Sequence, residues 1–183
     1  NWPFFMNIAI TQREVTIRGW TYDCTQQDWF DFLGQHTLWT IPNNAPFNLT
    51  EADCLVVSGG TSSERRNRTE SMAIQLFADK PVVGVCHGAF FMNELFGGTN
   101  STIEGHQGTE HTIEMESKVY QVNSYHTQLI ETLADCLEPI AWDMNGNIEG
   151  FKHKTRPLWG IVWHPERMKT PVLPKAVEEL LND

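Results

Sequence analysis

Two short segments of this 183-residue chain hold residue types that could do covalent chemistry together. The first is Pro81-Val82-Val83-Gly84-Val85-Cys86-His87-Gly88-Ala89-Phe90, in which a β-branched run leads directly into a cysteine with glycines two residues before and two after it. Glycines so placed permit a sharp strand-to-helix turn that lifts a side chain above a sheet, the mechanics of a nucleophile elbow. Cys86 would then stand at a helix N-terminus, where the macrodipole favours negative charge. A small buried cysteine closing a strand would account for this segment taken alone. A thiol nucleophile also needs a base, and the base needs a group to orient it. The second segment, Trp159-Gly160-Ile161-Val162-Trp163-His164-Pro165-Glu166, offers both after another apolar run. Pro165 stiffens the turn so that Glu166 can fold back on the His164 imidazole, although a surface glutamate in an ion pair would fit the tripeptide by itself.

The surrounding elements must bring these segments together. Asn7 to Thr11, Thr37 to Ile41, Cys54 to Val57 and Val82 to Val85 read as strands, and a polar stretch follows the first of them. Helices are expected at Gln26 to Leu33, with Trp29, Phe30 and Leu33 on one face, and at Glu70 to Ala78, with Ala73, Ile74 and Phe77 facing the core. A third is expected at Ala89 to Phe96. Such alternation argues for right-handed βαβ units around a mainly parallel sheet. The second half is richer in strand, at Thr112 to Glu114, Lys118 to Val122, Pro139 to Trp142, Ile148 to Phe151 and Leu158 to Val162, with Asn145-Gly146 as a hairpin turn. A closing helix spans Leu173 to Leu181, with Pro174 in its first turn. The expected architecture is one three-layer α/β domain over residues 1–183, with a flavodoxin-like, mainly parallel sheet and antiparallel additions. In such a sheet sites form at the carboxyl ends of strands, so Cys86 and His164 should converge there.

With 13 Lys+Arg against 23 Asp+Glu, the net charge of −10 disfavours a nucleic-acid or anionic-membrane partner and makes any anionic small molecule depend on a few local arginines. Cys24, Cys54, Cys86 and Cys136 are scattered without a C-x-x-C pair, as expected of reduced thiols in the cytoplasm. No apolar run approaches the roughly 20 residues of a membrane span, and no basic-then-apolar start suggests a secretory signal.

Gly84-Val85-Cys86-His87-Gly88 together with His164-Pro165-Glu166 resembles the class I glutamine amidotransferase family, and the resemblance covers nearly the whole chain. Ile10-Thr11-Gln12-Arg13, Ser58-Gly59-Gly60, Gly105-His106 with His111, Val122-Asn123-Ser124-Tyr125-His126 and Trp163-His164-Pro165-Glu166-Arg167 are similar to its free-standing γ-glutamyl hydrolase branch. Within that branch the opening Ile10-Thr11-Gln12-Arg13 and the Asn123-Ser124-Tyr125-His126 element look most like the γ-glutamyl-CDP-amidate hydrolases. The resemblance implies a Cys86-His164-Glu166 triad that cleaves a γ-glutamyl amide through a glutamyl thioester, with the backbone N–H groups of Gly60 and His87 as oxyanion hole. It implies no cofactor, and a leaving amine that extends to a nucleotide phosphoramidate used in surface-polysaccharide modification. Read from residue type alone, Gly59-Gly60 also fits an ordinary strand-ending turn.

One position departs from the family pattern. Glutaminases of this kind carry Gln two residues after the second elbow glycine, where this chain has Phe90. The glutamyl group is then held differently, or the acyl group is not a standard one, or the domain is a catalytically silent binding module. A further alternative is a glutaminase subunit that passes ammonia to a partner synthase, since the length leaves no room for a synthase domain. Candidate substrate-binding residues are Arg13, Arg65 and Arg68, with Arg66 between them, because guanidinium pairs bidentately with carboxylate and phosphate. Phe90, Ser124, Tyr125 and His126 complete the set, and Asn123 beside them could hydrogen bond in the site. His106 and His111 with Glu110 invite a metal reading, but no H-E-x-x-H or cysteine pairing accompanies them, and no metal site is expected.

Overall fold

The computed structural model describes residues 5–105 and 107–182. Five strands form a parallel core: β1 (Asn7–Thr11), β4 (Thr37–Ile41), β5 (Cys54–Val57), β6 (Val82–Val85) and β13 (Leu158–Ile161). They lie in the order β4-β1-β5-β6-β13. The sheet continues in antiparallel fashion through β12 (Ile148–His153), β11 (Leu137–Asp143), β8 (Thr109–Met115) and β9 (Lys118–Ser124). Two further strands, β7 (Thr99–Thr102) and β10 (Gln128–Thr132), pair with each other, and β10 also meets β12.

Strand pleating explains the three layers. Along the buried strands alternate side chains belong to opposite faces: Ala9, Leu55, Val57 and Val82 join one core, and Ile8, Ile10, Cys54, Val56, Val83 and Val85 join the other. Against the first face lie α2 (Glu64–Leu76) and α3 (His87–Leu95), through Ala73, Ile74, Ala89 and Phe90. The second is covered by α1 (Gln27–Phe32) and α4 (Lys175–Asn182), through Trp29, Val177, Leu180 and Leu181. Of the three residues expected on the inner face of α1, Trp29 and Leu33 are buried while Phe30 is exposed.

Three local readings are corrected. The polar stretch after β1 holds two strands not assigned from the sequence: β2 (Arg13–Ile17) and β3 (Trp20–Cys24) form an antiparallel hairpin turned by Arg18 and Gly19, both at positive φ. Arg-Gly is not among the usual hairpin-turn pairs, which is why the pattern hid it. The helix expected from Glu70 begins at Glu64, where Ser63 Oγ accepts the Arg66 N–H at 3.1 Å as N-cap. Its opening was not read as helix because the residues it buries first, Arg66, Thr69 and Glu70, are polar, and the first buried apolar residue, Ala73, comes more than two turns after Glu64. Strands β7 and β10 were also unread, being short and half polar.

Candidate active site

Cys86 leaves β6 with φ 51° and ψ −106°, a backbone state costing an L-residue about 1–3 kcal/mol, so the surrounding structure must impose it. Two backbone bonds pin it: Cys86 N–H donates to Ile161 O at 2.8 Å, and its carbonyl accepts the Phe90 N–H at 3.1 Å. The elbow glycines are demanded by packing. A Cβ at Gly84 would lie 2.3 Å from Met92 Cε, and one at Gly88 would lie 2.1 Å from the Val57 carbonyl oxygen, so helix α3 could not approach the sheet.

His164 follows the neighbouring strand β13, which pairs with β6 so that Ile161 lies opposite Val85. Its backbone is clamped by one side chain: His164 N–H donates to Asn123 Oδ1, and Asn123 Nδ2 donates to the His164 carbonyl, both at 2.8 Å. The ring Nδ1 stands 2.7 Å from Glu166 Oε1, with both side chains buried. Tyr125 meets the ring edge-on at 5.6 Å. Burial alone would lower the imidazole pKa, but hydrogen bonds with Cys86 and Glu166 and the negative charge they supply outweigh it and raise the group from 6.5 to about 9. Cys54 makes the contrast: its complete burial, followed by the charge of Asp53, pushes that thiol up to about 12.

Cys86 and His164 open into a cavity of about 600 Å³ lined also by Arg13, Gly60, His87, Phe90, Tyr125, His126 and Arg167. Gly60 has φ +135°, which an L side chain rarely adopts, and a Cβ there would lie 2.6 Å from Arg66 Nη1. Beneath this loop runs a buried polar network. Arg66, completely buried, donates from Nε to Glu70 Oε1 at 2.8 Å and from Nη2 to the Ser58 carbonyl, while His87 Nε2 lies 2.7 Å from Glu70 Oε2. Burial pushes the Glu70 carboxyl up, yet the hydrogen bond from His87 and the Arg66 charge hold it below its usual range. Arg66 thus supports the glycine loop from below.

The remaining expected binding residues separate clearly. Arg13 lines the cavity, and its buried Nε has no hydrogen-bond partner among the described residues. Arg65 does not line it; its Nε pairs with Glu14 of the hairpin at 2.7 Å. Arg68 pairs one helical turn back with Glu64 on the exposed face of α2. Ser124 is fully buried at the end of β9 and is also absent from the lining. Phe90 packs in the α3 core with one edge in the cavity, 5.8 Å from the His126 ring. Sequence reasoning missed Arg167, whose guanidinium lies 4.7 Å from the Tyr125 ring centre and donates to Gln26 at 2.8 Å. Its signal was its place directly after His164-Pro165-Glu166. His106 lies outside the described residues, and Glu110 is exposed. A different trio, His111, His126 and Glu149, brings its ligand atoms within 4.8 Å of one another.

An α/β sheet carrying a cysteine elbow and a His-Pro-Glu turn at adjacent strand ends is the arrangement of the class I glutamine amidotransferases, and the family model "Glutamine amidotransferase class-I" matches residues 30–182. The chain belongs to that family. Among individual proteins it is 30% identical to the γ-glutamyl-CDP-amidate hydrolase of Campylobacter jejuni, over 88% of this chain and 90% of that protein. It is 32% identical to the glutamine amidotransferase-like protein YvdE of Lactococcus lactis, over 76% and 78% of the two chains. The structure of a GMP synthase subunit protein from Thermoplasma acidophilum superposes with a TM-score of 0.76, covering 96% of this chain and 92% of that one at 20% identity, which shows the shared fold.

Proposed function

We propose that this chain is a cysteine hydrolase that cleaves γ-glutamyl amides by itself. The observation that carries the reading is Cys86 at its positive-φ elbow facing a His164 whose Nδ1 is held at 2.7 Å by Glu166. Cys86 Sγ attacks the γ-carbonyl carbon, and the carbonyl electron pair moves onto oxygen, met by the N–H groups of Gly60 and His87. The His87 donor belongs to the first turn of α3, where no intrahelical acceptor exists. Collapse of this adduct breaks the C–N bond as His164 gives its proton to the leaving amine. Water then attacks the glutamyl thioester, with His164 taking its proton, and glutamate departs as the thiol is restored.

Arg13 and Arg167 supply positive charge for the substrate's carboxylate or for phosphate on its leaving group. A leaving amine that carries a nucleotide phosphate suits this pair, and the 30% identity to the Campylobacter jejuni γ-glutamyl-CDP-amidate hydrolase favours that class. A second reading, a glutaminase subunit feeding a synthase, is favoured by the 27% identity to a glutamine-hydrolysing GMP synthase subunit of Archaeoglobus fulgidus over 69% of this chain.

Glutamate release from glutamine, a simple γ-glutamyl alkylamide and a γ-glutamyl nucleotide phosphoramidate separates these readings. Full turnover of a substituted amide by the purified chain, lost in Cys86→Ala, is the expected result. Equal rates in wild type and Cys86→Ala would remove Cys86 as nucleophile, and activity on glutamine alone that needs an added synthase would establish the subunit reading instead.

A further inference from the structure

Behind the cavity wall, three strands deliver side chains to one buried point. His111 lies on β8, His126 two residues past the end of β9, and Glu149 on β12. Their side chains are 18%, 2% and 1% exposed. His111 Nε2 is 3.1 Å and His126 Nε2 is 3.9 Å from the same oxygen, Glu149 Oε2, and the two imidazoles stand nearly perpendicular at 77°.

The tautomer of His126 follows from its neighbour. Its Nδ1 lies 2.7 Å from the Gln128 carbonyl, which can only accept, so Nδ1 carries a proton and Nε2 is the ring atom turned toward Glu149. A histidine held by a backbone carbonyl through one nitrogen, with the other aimed at a carboxylate, has the supporting arrangement of a metal ligand. A carboxylate this deeply buried also requires compensating positive charge. Ligands about 2.0–2.1 Å from a tetrahedral ion stand about 3.3 Å apart, so the His111–Glu149 spacing of 3.1 Å already fits, and His126, 3.9 Å from Glu149 with all three ligand atoms within 4.8 Å, closes onto the ion by about 1.5 Å at most.

We propose that His111, His126 and Glu149 form a binding site for a divalent transition-metal ion of the zinc class. Two imidazoles and one carboxylate are donors suited to Zn²⁺ and its neighbours rather than to Mg²⁺ or Ca²⁺, which select all-oxygen shells. The ion would rigidify the cavity wall, because His126 belongs to both the site and the lining. This inference is independent of the chemistry proposed for Cys86.

The test is equilibrium dialysis of the purified full chain against Zn²⁺ with elemental analysis, paralleled by Co²⁺ substitution read through d–d absorption. One equivalent of Zn²⁺ per chain is expected in wild type and equally in Cys86→Ser. His111→Ala and Glu149→Gln should each weaken binding by more than about 100-fold, beyond the roughly 10–100-fold cost of losing an outer partner. Because Glu149→Gln alters a buried group, His111→Ala at the partly exposed ring, with unchanged far-UV circular dichroism, is decisive. Absence of stoichiometric Zn²⁺ in wild type, binding unaffected by His111→Ala, or loss of the ion in Cys86→Ser, which would assign it to the thiol and His164, would each overturn the proposal.

Discussion

Gly59→Ala offers a perturbation that touches the imidazole while leaving the rest of the proposed machinery intact. Gly59 does not have a positive φ, so its backbone accepts alanine without strain. The added Cβ would lie 2.6 Å from His164 Cε1, 3.4 Å from Nδ1 and 3.5 Å from Nε2. Ordinary carbon contacts begin near 3.5 Å, so the ring must retreat by about 1 Å. It cannot do so freely, since Glu166 holds Nδ1 at 2.7 Å and Asn123 holds the backbone on both sides. Relief must come from loosening the Glu166 bond or the Cys86 contact, and a misplacement of about 1 Å in a reacting group costs about 100-fold in rate. The overpacking should cost about 1–3 kcal/mol of stability, which leaves a domain of ordinary stability folded. Steady-state glutamate release should therefore show kcat down by about 100-fold with KM changed much less, while a urea titration shows a modestly lower midpoint with an unchanged slope. A folded Gly59→Ala protein with kcat within about threefold of wild type would refute the claim that ring placement against Gly59 matters.

Two further outcomes follow from the same geometry. Because the folded His164 pKa is raised from 6.5 to about 9, its contribution to stability is fully present below pH 6.5 and is lost as pH rises through about 9; Glu166→Gln, which removes one cause of the shift, should lie further below wild type in urea stability at pH 6 than at pH 10, and a constant difference would contradict this. Among the arginines, Arg13→Ala and Arg167→Ala should each raise KM by about 10-fold or more, as expected for losing a charged hydrogen bond, while Arg65→Ala, tied to Glu14, leaves KM within about twofold; equal effects at Arg65 and Arg13 in substrate kinetics would overturn the assignment of the cavity's charge.

What could be read in advance divides along a physical line. Four parallel strands, Asn7–Thr11, Thr37–Ile41, Cys54–Val57 and Val82–Val85, were legible to the residue, because each is a short apolar or β-branched run ended by glycine, proline or polar residues. The Arg13–Cys24 hairpin was not, because its strands are largely solvent-facing and alternate without a buried face of their own. Arg65, Arg66 and Arg68 look alike as a run, yet a helix turns consecutive residues by about 100°, and the helix starts at Glu64, nearly two turns before the Glu70 that its apolar pattern indicated. One arginine therefore enters the core, one reaches the hairpin and one faces solvent.

The chain's local chemistry made the elbow at Cys86 and the His164-Pro165-Glu166 turn legible, because each depends on neighbours within a few residues, and those motifs carried the resemblance to the family that the family model then matched. Distant encounters were decided by tertiary structure: Asn123 gripping His164 from 41 residues away, Glu70 joining Arg66 to His87, and Glu149 meeting His111 and His126. Such contacts depend on strand order, register and helix docking, and a shift of one residue would turn the strand-borne His111, Asn123 and Glu149 to the opposite face of the sheet.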